Sequence, residues 1–169
     1  MEIKIRHANK NDNIDIIEIK RHGWLSAYTH IFGEDKINHH FDSKKNDPEY
    51  IKTSIEQIET NPHSYVATID DKAVATMAIK EILPEEDFIE VLCLYVHPAY
   101  QRHGIGKKLY DIAISVAKEN NKNNIHIEAI KDNHIGCSFY RKNGGKDFSA
   151  RTRTCCGIEV DMITFNFDI

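Results

Sequence analysis

The spacing of apolar residues along the N-terminal part of the chain predicts one short strand followed by two helices. Isoleucines alternate with charged residues over 3–6, which indicates a strand. Apolar residues recur at helical spacing from an Asn11-Asp12 cap to about residue 28, and again over 48–60 after the capping residue Asp47. Residues 29–46 contain one glycine, three histidines and many polar side chains, and we interpret them as a loop.

From about residue 64 the pattern changes and predicts mainly strands. Segments 64–69 and 73–79 flank an Asp-Asp-Lys turn and predict a hairpin. The near-continuous apolar run 88–96 predicts a buried strand. The remaining predicted elements are an amphipathic helix from Gly104, a strand over 125–130, a short helix from Asn133, and two strands over 146–154 and 158–167 joined by Cys155-Cys156-Gly157.

The resulting order, β-α-α-β-β-β-α-β-α-β-β, predicts the α/β class (a mixed α+β arrangement). The strand-helix-strand segment 88–130 requires a right-handed, parallel crossover, whereas the flanking hairpins pair antiparallel. We therefore predict a mixed, mostly antiparallel sheet of six to seven strands with helices on both faces. The chain has 169 residues without repeats or Gly/Ser linkers, so a single domain over 1–169 is expected.

Composition narrows the range of partners. The formal net charge of -4 provides no global positive field that would attract nucleic acid or an anionic membrane. The four cysteines include no C-x-x-C pair, which indicates free thiols in a reducing compartment. No apolar run approaches the ~18 residues of a membrane span, and the first residues lack the apolar region of a signal peptide. We expect a cytoplasmic protein that binds neither nucleic acid nor membrane.

The segment with the clearest candidate chemistry follows the predicted strand 88–96. Residues 101–107 read Gln-Arg-His-Gly-Ile-Gly-Lys and lie at the start of the predicted amphipathic helix. The N–H groups in the first turn of a helix have no intrahelical acceptor and carry partial positive charge, and glycines let a ligand approach them closely. These properties are typical of a site that binds phosphate or diphosphate.

Three classes of protein bind phosphate groups in this way. A P-loop requires a glycine at position 101 and Ser or Thr after Lys107, where this chain has Gln101 and Lys108. A dinucleotide-binding fold requires a third glycine where Leu109 stands, and a motif close to the first strand. The third class fits: this segment resembles the coenzyme A signature of the GNAT N-acetyltransferase superfamily, with Gln101-x-x-Gly104-x-Gly106 after Leu94-Tyr95-Val96-x-Pro98.

A second segment supports the resemblance, which covers nearly the whole chain and is strongest over 88–145. The family pattern Asn-x-x-Ala-x-x-Phe-Tyr-x-Lys-x-Gly-Phe is similar to Asn133-x-x-Gly136-x-x-Phe139-Tyr140-x-Lys142-x-Gly144-Gly145. There are two departures from the pattern. Gly136 replaces the usual Ala, which costs a helix interior about 1 kcal/mol. Gly145 replaces the usual Phe, which removes one core anchor.

The resemblance implies acetyl-coenzyme A as co-substrate and no metal. The diphosphate of the coenzyme is expected on backbone N–H groups of the loop and helix start, with the pantetheine arm along the exposed edge of the fourth strand. An N–H of Tyr95 or Val96 would polarise the thioester carbonyl. The implied coenzyme-binding residues are Leu94, Tyr95, Val96, Gln101, Arg102, His103, Gly104, Ile105, Gly106, Lys107 and Asn133.

The resemblance also implies direct attack of an amine on the thioester in a ternary complex, without an acyl-cysteine. The acceptor ammonium must lose a proton before it attacks, and the departing thiolate must gain one. Tyr140 occupies the general-acid position of the family, and Glu90 matches a base position that acts directly or through water. Each has a structural alternative, since Tyr140 fits a packed helix tyrosine and Glu90 fits a salt-bridged surface residue.

Three aromatic residues, Trp24, Tyr28 and Phe32, resemble the run that lines the acceptor pocket in this family. Their spacing of four residues is equally typical of core packing. His39-His40 has no acidic or thiol partner at ligand spacing, so we predict no metal site there. The acceptor is expected to be a small-molecule or peptide amine; its identity and the formation of a homodimer stay open.

We interpret the chain as an N-acetyltransferase that moves an acetyl group from acetyl-coenzyme A to a primary amine. The alternative is a non-catalytic acyl-coenzyme A-binding regulatory module on the same fold, and a nucleotide-binding protein is a third interpretation. The presence of Tyr140 and of an unbroken loop from Gln101 to Gly106 favours the enzyme.

Overall fold

The strands of the chain form one sheet in the order β1-β2-β3-β4-β5-β7-β6. This computed structural model describes residues 2–169, so Met1, which the predicted domain includes, lies outside the described residues. The sheet is mixed and mostly antiparallel, as predicted, with β4 and β5 paired in parallel. The strands are β1 (Lys4–His7), β2 (Ser64–Ile69), β3 (Lys72–Ile79), β4 (Phe88–Val96), β5 (Asn124–Ile130), β6 (Lys146–Cys155) and β7 (Ile158–Asp168).

Helices connect the strands where the sequence predicts crossovers. Short 3-10 turns at Lys10–Asp12 and Pro98–Tyr100 lie ahead of the first and fourth helices. A helix connects β4 to β5, and such a crossover connection joins parallel strands. The parallel pairing of β4 and β5 runs from Phe88 opposite Asn124 to Val91 opposite Ile127. The helices are α1 (Asn13–Phe32), α2 (Glu34–Lys45), α3 (Pro48–Thr60), α4 (Ile105–Glu119) and α5 (His134–Lys142).

The chain divides into two compact units. The first contains residues 2–78 and Cys93–Tyr110, and the second contains Ile79–Leu92 and Asp111–Ile169. In the first unit, a core cluster joins helix and strand residues, with Ala8 and Tyr95 packed against it. The buried members of this cluster are Ile16, Ile19, Ile58, Val66 and Ala73.

The second helix, α2, is the main departure from the prediction, which treated 29–46 as a loop. Only Ile37 and Phe41 of this helix are buried, at 1% and 3% exposure, and they lie one turn apart. Two apolar residues in an otherwise polar segment give too weak a periodicity for a helix to be recognised. Tertiary contacts supply the rest: Arg21 of α1 donates hydrogen bonds to the side chains of Asn38 and Asp42 at 3.1 and 2.9 Å.

The two predicted helix caps have different outcomes. Asp47 caps α3 as predicted, since its carboxylate accepts a hydrogen bond from the Glu49 N–H at 3.0 Å. The Asn11-Asp12 cap predicted for α1 is confirmed only in its position: Asp12 is the N-cap residue of this helix, but no side-chain hydrogen bond caps it. Asp12 instead accepts two hydrogen bonds from the guanidinium of Arg6, at 2.7 and 2.8 Å, and therefore holds β1 to the start of α1.

The strand β4 is buried along only part of its length. Ile89 and Val91 are buried as predicted, but Leu92 is 56% exposed and the residues after it are half-buried. The predicted turns are confirmed, with positive φ at Asp70-Asp71 and at Cys156-Gly157, which suits two-residue hairpin turns. The apolarity of 88–96 therefore indicates a strand but overstates its burial.

Candidate active site

The loop between β4 and α4 contains two residues in the left-handed region of the backbone map. Arg102 has φ 67° and Gly104 has φ 78°, and both residues are exposed. A Cβ on Gly104 would meet no heavy atom within 4 Å, so the space beside its Cα is open. Positive φ is uncommon for a residue with a side chain. The surrounding structure must therefore stabilise the conformation of Arg102.

Gln101 holds this loop against the end of β4. Its side-chain Nε2 donates to the carbonyl oxygen of Val96 at 3.2 Å, and its backbone N–H donates to Pro98 at 3.2 Å. The Nδ1 atom of His103 lies 2.8 Å from the carbonyl oxygen of Gln101; since a carbonyl only accepts, this nitrogen carries the hydrogen. The glutamine of the motif therefore closes the loop, and its side chain is already engaged within the protein.

The start of α4 directs backbone amides into the loop. The first intrahelical bond is donated by Lys108 to Gly104 at 3.0 Å, so the N–H groups of Ile105 and Gly106 have no acceptor one turn earlier within the helix. Ile105 is fully buried and fixes this first turn, whereas Arg102 and Lys107 are exposed cations. Fixed amides, open space and two cations form an arrangement that suits an anionic diphosphate.

The end of β4 is packed closely by α1. A Cβ on Gly23 would lie 2.8 Å from the Cδ1 atom of Tyr95, so only glycine allows this approach. The indole N–H of the next residue, Trp24, donates to the hydroxyl of Tyr95 at 3.0 Å. The sequence interpretation missed Gly23, although an isolated glycine inside a helical pattern is itself a signal of close packing. Leu94, Tyr95 and Val96 are half-buried here.

Trp24 is the centre of an aromatic cluster in which α1 and α2 meet. Its ring stacks on Phe32 and His40, with centroids 5.6 and 5.5 Å away, and meets Tyr28 and Phe41 edge-on at 5.3 and 5.5 Å. Tyr28 and Phe32 are each only 5% exposed. This burial favours the packing role for Tyr28 and Phe32 over direct contact with a substrate. His40 and Phe41 were missed because their segment was interpreted as a loop.

Two histidines in this unit favour the neutral form. Burial lowers the pKa of the His40 imidazole, and the positive charge of Lys44 lowers it further. Burial also lowers the pKa of His97, with smaller contributions from His22 and Lys72. The rings of His22 and His97 lie 4.5 Å apart, and the Nδ1 atom of His97 accepts the N–H of Ala99 at 3.2 Å.

In the second unit, Tyr140 lies on α5 with its ring in the core. It is 7% exposed, and its ring centroid is 5.4 Å from that of Phe165 and 6.3 Å from that of Phe167. The absence of the family phenylalanine at Gly145 is explained here, because a Cβ on Gly145 would lie 2.8 Å from the ring of Phe167. Phe167 of β7 therefore fills the volume next to Gly145 and replaces the missing anchor.

Asn133 caps the helix that carries Tyr140. Its side-chain oxygen accepts a hydrogen bond from the N–H of Gly136 at 2.9 Å. A Cβ on Gly136 would lie 2.6 Å from the Nδ2 atom of Asn133, so an alanine at this position would require the Asn133 side chain to move. Both departures from the family pattern thus accompany a side chain that occupies the space, and neither removes a functional group.

Glu90 lies on β4 opposite His126 of β5 and forms an ion pair with Lys80. The Nζ atom of Lys80 is 3.0 Å from the carboxylate, and the resulting hydrogen bond raises the pKa of Lys80. Both side chains are partly exposed, so the pair adds little to stability. Acceptance of a proton by Glu90 would compete with this ion pair.

Cys137 is a buried thiol on α5. Its Sγ atom lies 3.6 and 3.7 Å from the carbonyl oxygens of Ile130 and Lys131. Burial raises its pKa, which keeps the thiol protonated and makes it a poor nucleophile. This environment agrees with a reaction that needs no acyl-cysteine.

Residues 2–169 lack both a cluster of metal-binding side chains and a helix suited to a membrane. No group of three or more His, Cys, Asp or Glu side chains within this range is arranged to hold a metal ion. None of the helices in the same range combines the length and apolarity needed to cross a lipid bilayer.

Comparison with known proteins identifies the family. The model of the acetyltransferase (GNAT) family matches residues 24–145, more than half of the 169-residue chain. The spermidine N(1)-acetyltransferase of Thermoplasma acidophilum is 25% identical over 146 residues, which are 86% of this chain and 89% of that protein.

Solved structures agree. The PaiA N-acetyltransferase of Thermoplasma acidophilum, crystallised with coenzyme A, has a TM-score of 0.78 and 26% identity over 100% of both chains. An N-acetyltransferase of Staphylococcus aureus Mu50 has a TM-score of 0.73 over 99% of both chains; at 18% identity this likeness shows the fold. The chain is therefore an acyltransferase that belongs to the GNAT family of acetyltransferases.

Proposed function

We propose that the chain transfers an acetyl group from acetyl-coenzyme A to a primary amine, by direct attack in a ternary complex. The observation that carries the proposal is the exposed β4–α4 loop, with its left-handed residues and the open space beside Gly104. The coenzyme A complex of the PaiA relative supports the choice of ligand. Residues 1–169 would perform this function as a single domain.

The residues present fit the coenzyme. When bound, acetyl-coenzyme A supplies an acetyl group activated as a thioester. The amides of the loop and of Ile105 and Gly106 would hold its diphosphate, and the exposed Arg102 and Lys107 would add positive charge. The backbone of Leu94, Tyr95 and Val96 would flank the pantetheine arm, with Asn133 as a further contact.

Two residues would move protons. The phenolic hydroxyl of Tyr140 is a proton donor and would protonate the departing sulfur. Glu90 would accept the proton of the acceptor ammonium, directly or through water. Its ion pair with Lys80 favours the water-mediated route, because the carboxylate oxygen next to Lys80 is already engaged.

Polyamines are the first acceptors to test. The relative that is 25% identical is a spermidine N(1)-acetyltransferase, and the net charge of -4 mildly favours a cationic acceptor. Amino acids, antibiotics and peptide N-termini also present amines and belong in the same panel.

The test combines turnover with coenzyme binding. Release of free thiol from acetyl-coenzyme A is measured with each amine, and the Kd of coenzyme A is measured by calorimetry. We expect Tyr140→Phe to lower kcat by about 100-fold or more while the Kd stays within twofold, because general acid catalysis contributes 10²- to 10⁴-fold. Tyr50→Phe, which removes the hydroxyl of a half-buried tyrosine on α3, is the matched control.

Each alternative has its own outcome in these measurements. Coenzyme A binding without thiol release, whatever the amine, would favour the regulatory module. Stabilisation by ATP or NAD but not by coenzyme A would favour the nucleotide-binding protein. Equal losses of kcat and of coenzyme affinity in Tyr140→Phe would contradict the general-acid role.

A further inference from the structure

The ring of Tyr95 is held at both ends by neighbouring residues of α1. At the base of the ring, the Cδ1 atom would lie only 2.8 Å from a Cβ added to Gly23. The ring therefore packs directly against the backbone of α1 at this glycine. At its tip, the hydroxyl accepts the indole N–H of Trp24 at 3.0 Å, across a separation of 71 residues. A side chain constrained at two points has little freedom to rotate, and its Cα is constrained with it.

The donor in this hydrogen bond is itself fixed. An indole N–H can only donate, and it needs a partner wherever the ring is removed from water. The Trp24 ring stacks on Phe32 and on His40, and Tyr28 and Phe41 meet it edge-on. These contacts hold the indole ring with its N–H directed at the hydroxyl of Tyr95.

The backbone next to Tyr95 is held by two further hydrogen bonds. The carbonyl oxygen of Val96 accepts the side chain of Gln101 at 3.2 Å, and the N–H of His97 donates to Val74 at 2.9 Å. The end of β4 is thereby held by the side chain of Tyr95, the carbonyl oxygen of Val96 and the N–H of His97. In the proposed function this strand end carries the amide that polarises the thioester, and an error of about 1 Å in such a group can cost about 100-fold in rate.

We propose that Trp24 is a positioning residue for acetyl transfer, acting through its hydrogen bond to Tyr95 to align the backbone amide of Tyr95 or Val96. This inference rests on the proposed function. It assigns the aromatic cluster of α1 and α2 to turnover and not to capture of the acceptor amine. Gly23 also contributes to this positioning, because its lack of a side chain lets the Tyr95 ring pack against α1.

A double-mutant cycle tests the proposal. Trp24→Phe and Tyr95→Phe each keep an aromatic ring and remove one half of the hydrogen bond. We expect each variant to lower kcat about tenfold with the KM of the acceptor within twofold, and the double variant to be no slower than the slower single variant. Tyr50→Phe is the matched control, since it also removes a tyrosine hydroxyl from the same compact unit but lies on α3, outside the aromatic cluster.

Gly23→Ala provides an independent route to the same outcome. Alanine raises the helix propensity of this position by about 1 kcal/mol, so a glycine with no steric role would be replaced neutrally or with gain in stability. If Gly23 makes room for Tyr95, the added Cβ displaces the ring and kcat falls as in Trp24→Phe.

Nuclear magnetic resonance of the free protein separates a failure of this inference from a failure of the proposed function. The amide signal of Val96 should shift in Trp24→Phe and Tyr95→Phe, without additivity in the double variant, and should stay in place in Tyr50→Phe. A Val96 signal that does not move, or rate losses that multiply in the double variant, would overturn the positioning role. A raised acceptor KM at unchanged kcat would show that Trp24 contacts the acceptor.

Discussion

The loop over 101–107 and the aromatic cluster of α1 and α2 belong to the same compact unit but depend on the sequence in different ways. The loop works through its backbone: positive φ at Arg102 and Gly104, and amides at the start of α4. The cluster works through side chains, with Trp24 packed among residues from two helices. The loop was predicted from a short motif, whereas the second helix of the cluster was interpreted as a loop.

The difference shows which kinds of site a sequence reveals. A site built from backbone amides requires glycine at particular positions of a short segment, and this requirement is visible locally. A site built from packed side chains requires distant residues to meet, and the same residue types serve equally well in an ordinary core. The spacing of Trp24, Tyr28 and Phe32 is typical both of core packing and of an acceptor pocket, so the sequence alone does not separate the two roles.

The largest effect should follow from removing the core of α2. Phe41→Ala is expected to lower the free energy of unfolding by about 3–5 kcal/mol, because Phe41 is buried and its loss leaves a cavity in the cluster. Urea unfolding measures this change. His39→Ala, at the exposed position two residues earlier, is the control and should stay within about 0.5 kcal/mol. A loss below about 1 kcal/mol in Phe41→Ala would mean that α2 contributes no core.

A change in the loop should affect binding more than stability. Gly104→Ala adds a methyl group to the open space beside the loop, and we expect the Kd of coenzyme A to rise about tenfold. Gly33→Ala is the matched control: Gly33 also has φ 78° and open surroundings, so it carries backbone strain without a role in the loop. Calorimetry measures the Kd of coenzyme A for both variants. Equal Kd values would show that the loop does not contribute to coenzyme binding.

The smallest effect should be a pH dependence of the cluster. The pKa of His40 is lowered in the folded protein, so the unfolded chain binds a proton first as the pH falls through about 6.5. The contribution of His40 to stability should therefore be complete above that pH and should decrease as the pH falls below about 6.5, by less than the loss in Phe41→Ala. Thermal unfolding of His40→Phe should show a shallower decrease; parallel curves for the two proteins would exclude His40 as a source.

Much of the fold followed from local patterns. The bounds of β2 and β4 agree with the predicted 64–69 and 88–96, because turn residues and β-branched runs mark strands over a few positions. The parallel pairing of β4 and β5 followed from the length of the connection between them. The family pattern led to Tyr140 and Glu90, whose chemical roles stay predictions.

The sequence by itself determined the order of elements along the chain, the parallel crossover from β4 to β5, the position of the coenzyme motif and the membership of the family that this motif indicates. Only the tertiary structure decided that Phe167 fills the space beside Gly145, that Asn133 lies over Gly136, and that Trp24 reaches Tyr95. The physical reason is range. Glycine and turn requirements act between neighbours in the chain, whereas packing and side-chain hydrogen bonds depend on residues that only folding brings together.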